Sequence, residues 1–171
     1  MCGYQLGDEV AAGTLIERLT PLLLRYFLAQ GASRSLAEDL TQETWMRIHR
    51  GRHTYRPGAP LRPWVFAIAR HIRLDAGRKI RRIEFREQPM DLLPEPATHD
   101  PRVSREGLDL HAILAKLPPS QREVIVMLKI SGMTIEEVAR ATASTVGSVK
   151  QKVHRAYDRL RDLLRPGVRS R

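Results

Sequence analysis

A chain of 171 residues is long enough for one ordinary domain or two small ones. Its 29 Lys and Arg against 19 Asp and Glu leave a net charge of +10, which makes a polyanion the leading partner, nucleic acid before a membrane surface. A hydrophobic content of 42% argues against wholesale disorder, while a single cysteine, no glycine repeat and no apolar run near about 18–20 residues exclude a disulfide scaffold, a collagen and insertion into a membrane.

The first residues carry neither a basic n-region nor a long apolar stretch, so no secretory signal is expected. With a lone Cys2, this points to a reducing, cytoplasmic location. One helix is predicted near 8–19. A second is predicted to start at Thr20 as its cap, with Pro21 in the first turn, an apolar stripe of Leu22, Leu23, Tyr26 and Phe27, and a stop at Gly31. Ser35 and Glu38 make a capping-box pattern that opens a third helix, running to about Arg50. Leu36, Ala37, Leu40, Thr44 and Ile48 form its buried side. Asp39, Gln42, Glu43 and Met46 fall on a different face, and in so basic a chain an acidic and amide face with an exposed Met suits a protein partner.

Residues 51–60, with two prolines and two glycines, read as a loop supplying His53, Tyr55 and Arg56, whose planes can stack on an unpaired base. A long helix is predicted over 61–85. Leu61, Trp64, Val65, Ile68, Ile72, Ala76, Ile80 and Ile83 line its apolar side, and Trp64 belongs there as core. Arg62, Arg70, Arg73 and Arg81, with Arg78 and Arg82 beside them, form an electrostatic track for a phosphate backbone.

Residues 87–107 hold four of the eleven prolines and a net charge of −3, between a block 1–86 of net +7 and a block 108–171 of net +6. Proline removes a backbone donor and restricts its predecessor, so this is an extended acidic linker between two modules. Beyond it, Leu110, Ile113, Leu114 and Leu117 make one helix stripe. Pro118 to Ser120 open a helix carrying Val124, Ile125 and Leu128, and Gly132 ends it. Thr134 and Glu137 form a capping-box pattern on a short helix, followed by a turn near 142–144 and a last helix to about Leu164. In that helix Val146, Val149, Val153, Ala156, Tyr157, Leu160, Leu163 and Leu164 repeat at three and four residues as a buried stripe.

The opposite side of the last helix presents Ser148, Gln151, Lys152 and Arg155. A short capped helix, a tight turn and a longer helix with a basic face describe a helix-turn-helix whose second helix enters the major groove. Gln151 and Arg155 can pair with base edges, while Lys150 and Lys152 suit phosphate. Ala143 stands in the turn, where glycine is frequent. No Gly-rich phosphate loop, H-E-x-x-H, C-x-x-C or G-x-S-x-G is present, so no catalytic set, metal site or cofactor is expected. The fold class is all-α, with two small helical domains joined by the linker.

The order of these signals resembles the extracytoplasmic-function (ECF) group of bacterial sigma-70-type sigma factors. Four segments carry the resemblance: Asp39 to Trp45, Pro63 to Arg78, Leu117 to Leu128, and Gly132 to Arg161. It implies a region 2 at 10–86, a linker at 87–107 and a region 4 at 108–165. It further implies binding of core RNA polymerase by Asp39, Gln42 and Glu43. Contact with the −10 element falls to Ala69, Arg70, His71, Asp75 and Arg78 of a family motif in which His71 replaces the usual Asn. The loop at 51–60, with Tyr55 and Arg56, captures a flipped base of the opened strand, and Arg73 lies on the same helix. The −35 duplex is met by Ser148, Lys150, Gln151 and Arg155, with Lys152 beside them. An anti-sigma factor is a further implied partner. The rival reading is a helix-turn-helix regulator that binds duplex DNA without joining polymerase, which leaves the 36–50 helix and the arginine helix without a task.

Overall fold

The computed structural model describes residues 1–87 and 105–164, and the remaining part of the expected linker, residues 88–104, lies outside them. The described residues are helical, with no strand: α1 (Cys2–Gln5), α2 (Glu9–Ala29), α3 (Arg34–Gly51), a 3-10 turn (Arg52–Thr54), α4 (Leu61–Glu87), α5 (Arg105–Ala115), α6 (Pro119–Lys129), α7 (Ile135–Ala141) and α8 (Val146–Leu164).

One helix, α2, stands where two were expected. Asp8 caps it, its carboxylate accepting from the N–H groups of Val10 and Ala11, and Pro21 sits inside it. Thr20 is not a cap: its hydroxyl accepts the indole N–H of Trp45 at 2.9 Å. An internal proline costs about 3 kcal/mol. Leu15, Leu19, Leu23, Tyr26 and Phe27 continue one buried stripe through it, and burying each large side chain returns about 1.5–3 kcal/mol. The start of α3 also differs. Ser33, not Ser35, is the cap, accepting from Leu36 N–H at 3.3 Å, and Glu38 pairs with Arg34 one turn back instead of closing a capping box. Gly31 does end α2, at φ +93°, a conformation that strains any residue with a Cβ.

Leu23, Tyr26, Phe27, Ala37, Ile48, Val65, Phe66 and Ala69 pack α2, α3 and α4 around the first core, with Phe66 edge-on to Tyr26 at 5.4 Å between centroids. Phe66, absent from the expected stripe, is fully buried, whereas Ile80 is exposed. Buried Thr41 and Thr44 donate to the carbonyls of Ala37 and Leu40, so neither hydroxyl is left unpaired.

The second core joins Leu114, Leu117, Val124, Val126, Met127, Val138, Val149 and Ala156. Leu110 is exposed, and so are Tyr157, Leu163 and Leu164, so the buried stripe of α8 ends near Leu160. The capping box of α7 is present in full, Thr134 Oγ1 accepting from Glu137 N–H and Glu137 accepting from Thr134 N–H. After α7 the chain closes a Schellman turn: Ser144 N–H donates to Ala139 O at 2.9 Å and Ala143 N–H to Arg140 O at 3.2 Å. Ala143 occupies the left-handed position, φ +49°. Glycine removes that Cβ conflict, so Ala143→Gly is expected to stabilise the chain by about 0.5–1 kcal/mol, read as a higher midpoint in thermal unfolding. A lower midpoint would contradict it.

The two cores are in direct contact, α4 lying against α7 and α2 against α6. Arg122 of α6 gathers the C-terminal end of α5, donating to the carbonyls of Leu114, Ala115 and Leu117, and reaches Gln30 O at the end of α2 at 3.4 Å.

Candidate functional site

Four surfaces carry the expected functional side chains. On α3, Asp39 and Gln42 are exposed and Glu43 is half-buried, with Arg47 3.6 Å from it. Met46 is 44% exposed and lines a shallow apolar cleft of about 310 Å³ with Tyr4, Ile16, Trp45 and His49. The acidic and amide end of this face therefore runs into an apolar one, a mix suited to a protein partner.

The loop between α3 and α4 is built rather than open. Tyr55, expected to be offered to a base, is buried: its ring meets Trp64 edge-on at 5.6 Å and its hydroxyl donates to Ala59 O. The conflict lies in the apolar ring, which gains more from packing on Trp64 than from display at the tip. Of the three side chains expected to stack, His53 and Arg56 are exposed, and Gly58 turns the tip at φ +84°.

The arginine face of α4 divides. His71, Arg78, Arg81 and Arg82 are exposed. Asp75 sits between Arg78 and Arg47 of α3; the hydrogen bond from Arg78 comes first in holding its carboxyl below the usual range. Arg70 and Arg73 point into the contact between the two cores. Both donate to one buried carboxylate, Glu123 of α6, at 3.2 and 2.5 Å. Arg62 donates to Gly132 O at 2.9 Å across the same contact. Arg73 also reaches the hydroxyl of Tyr26 at 3.4 Å. Burial pushes the Tyr26 phenol up to about 12, with Arg73 working against that rise. Burial opposes the charge of Arg73, but Tyr26 and Glu123 beside it hold its pKa above the ordinary value. Burial lowers that of Arg122.

Sequence reasoning missed Glu123. The available signal was a carboxylate directly before Val124, Ile125, Val126 and Met127, all buried. A carboxylate in such a run needs a cation nearby.

The fourth surface is α8. Thr145 accepts from Ser148 N–H at its start. Lys150, Gln151 and Arg155 are exposed and Ser148 is half-buried. Lys152, expected on the opposite side, is half-buried on the flank of the stripe of Val149 and Ala156, since three and four residues bring it beside them. An N-terminal half of this kind, following α7 and a tight turn, has the geometry that enters a major groove. Among the described residues, no His, Cys, Asp and Glu cluster suits a metal, and no helix is long and apolar enough to cross a membrane.

Family models for sigma-70 region 2 and sigma-70 region 4 match residues 15–83 and 107–160. The sigma factor CarQ of Myxococcus xanthus is 31% identical over 165 residues, covering 94% of this chain and 93% of CarQ. The chain belongs to the ECF group of sigma-70 factors. The ECF sigma factor SigE of Mycolicibacterium smegmatis is 37% identical over 136 residues, which span 75% of this sigma factor but only 51% of SigE. Among solved structures, the sigma factor RpoE of Bartonella quintana, in complex with the anti-sigma factor NepR, is similar with a TM-score of 0.77 at 27% identity, covering 91% of this chain and 98% of RpoE. CnrH, in complex with the cytosolic domain of CnrY, gives 0.70 at 25% identity over 92% of this chain and 90% of CnrH.

Proposed function

We propose that this ECF sigma factor works in the cytoplasm, binding core RNA polymerase and directing it to promoters. Residues 10–86 are region 2, whose α3 face, Asp39, Gln42 and Glu43, grips the polymerase. Residues 108–165 are region 4, in which Gln151 and Arg155 read base edges of the −35 duplex while Ser148, Lys150 and Lys152 meet phosphate. Each good bidentate base contact contributes about 1–3 kcal/mol of discrimination. The −10 element falls to Arg70, His71, Arg73, Asp75 and Arg78 of α4 and to the loop, with Arg56 at its tip and Tyr55 as its internal support. Capturing an unstacked base there costs a few kcal/mol, roughly, and basic side chains around the loop offset it.

The observation that carries this reading is the coexistence, on one small chain, of an exposed acidic and amide face on α3 and a basic face on the second helix of a helix-turn-helix. A duplex-binding regulator has use for the second alone. The engagement of Arg70 and Arg73 with Glu123 adds a condition: the two regions separate before α4 meets DNA. The similar sigma factor RpoE of Bartonella quintana is held in a complex with the anti-sigma factor NepR. That likeness supports control of this chain by an anti-sigma factor as well.

The test is binding of the labelled full chain to bacterial core RNA polymerase, beside a variant carrying Asp39→Ala and Gln42→Ala. We expect tight binding by the first and a loss of about tenfold or more in the second, because on this reading Asp39 and Gln42 are hot spots of the grip, and truncating a hot spot costs about 2 kcal/mol or more. No binding by the intact chain would leave the duplex-binding regulator in front.

A further inference from the structure

Residues 1–14 precede the segment that matches the region 2 family model, and none of the roles above uses Gln5. The short α1 is nevertheless firmly seated. A Cβ on Gly3 would come within 3.0 Å of Ala11 Cβ and 3.1 Å of Asp8 Oδ2, so the α1 backbone lies directly on the start of α2. Asp8 N–H donates to Gly3 O at 3.0 Å. From this seat the hydroxyl of Tyr4 meets His49 Nδ1 at 2.7 Å. Gln5 Nε2 donates twice, to Arg52 O at 2.7 Å and to Tyr55 O at 2.8 Å. Those carbonyls bracket the 3-10 turn at the root of the 51–60 loop. The same root holds Tyr55 N–H on Arg52 O, and Tyr55 on Trp64. One amide, from a helix about fifty residues away in sequence, thus uses both of its hydrogens to fix the backbone from which His53 and Arg56 project.

We infer that Gln5 is a positioning residue for promoter opening: it holds the loop in the shape that receives the unpaired −10 base. The inference rests on the proposed role of that loop. A flexible loop loses conformational freedom when a base docks, and a loop fixed beforehand has less to lose. Gln5 touches no DNA. Its effect therefore falls on strand capture and leaves the grip on polymerase and the reading of the −35 duplex unchanged.

The experiment uses holoenzyme reconstituted from the full chain and core polymerase, on a promoter carrying 2-aminopurine in the non-template −10 strand. Opening is scored per bound holoenzyme, so a loss of folded chain does not enter the ratio. Gln5→Glu keeps the shape but sets acceptor oxygens against two carbonyls, and Gln5→Leu removes the donors without adding charge. Both are expected to reduce opening about tenfold, with Gln5→Glu the more affected, while −35 duplex and core affinities stay at the parental level. Parental opening in both variants would overturn the inference, as would a parallel fall in −35 affinity, which marks a general loss of structure. His53→Ala and Arg56→Ala are run beside them. If these lower opening while the Gln5 variants do not, the brace is wrong and the loop reading stands. If all four open like the parent, the loop reading fails and takes the inference with it.

Discussion

Glu123→Gln is expected to open the molecule. The wild-type carboxylate is 8% exposed and accepts from two guanidiniums that are themselves only 27% and 21% exposed. Removing its charge leaves Arg70 and Arg73 facing a neutral amide in a contact with little water. Hydrogen bonds to charged groups contribute about 1.5–3 kcal/mol each, and breaking a buried pair costs more than the pair itself contributed. A loss of about 2 kcal/mol in the association of the two regions shifts their closed-to-open ratio roughly thirtyfold. Two measurements check it without polymerase: the radius of gyration by X-ray scattering, which should rise, and the affinity for a single-stranded −10 oligonucleotide, which should increase. An unchanged radius together with unchanged affinity would show that the apolar contact of α4 with α7 holds the regions closed without Glu123.

The second large effect is on alkaline stability. The phenol of Tyr26 is fully buried and titrates at about 12, against about 10 in an unfolded chain. The folded state therefore keeps its proton where the unfolded state has lost it. The stability linked to this group is fully present below pH 10 and is lost as the pH rises from 10 through 12. Two pH units correspond to about 3 kcal/mol. In Tyr26→Phe the linked loss should vanish, so the gap in urea midpoint between variant and parent should swing in favour of the variant from pH 9.5 to 11.5. A constant gap across that window would mean that the burial of Tyr26 is relieved before the phenol ionises.

Much of this was legible in the sequence because helical periodicity and capping are local. Thr134 and Glu137 announce α7, Gly31 announces the end of α2, and the spacing of Val149, Val153 and Ala156 gives the inner side of α8. The errors have one physical source: local signals compete with tertiary partners that the sequence does not name. Thr20 beside Pro21 reads as a cap, but Trp45 takes its hydroxyl. Ser35 and Glu38 read as a capping box, but Ser33 caps the start of the helix two residues earlier. Tyr55 reads as a base platform until Trp64 and Ala59 claim both ends of its side chain. The arginines of α4 look alike in sequence. Only the fold separates the exposed Arg78 from Arg70 and Arg73, because the carboxylate that divides them lies fifty residues away.

That shared carboxylate also bears on how a chain of net charge +10 behaves among the phosphates of a whole chromosome. Non-specific affinity for duplex DNA comes from the small cations a protein displaces, about 0.9 in the salt exponent for each phosphate it neutralises. Arg70 and Arg73 are turned inward onto Glu123, which offsets one of their two charges, so closing the molecule takes about one to two from that exponent. The closed chain stays comparatively free to diffuse, and spends its full charge on DNA only after the two regions part.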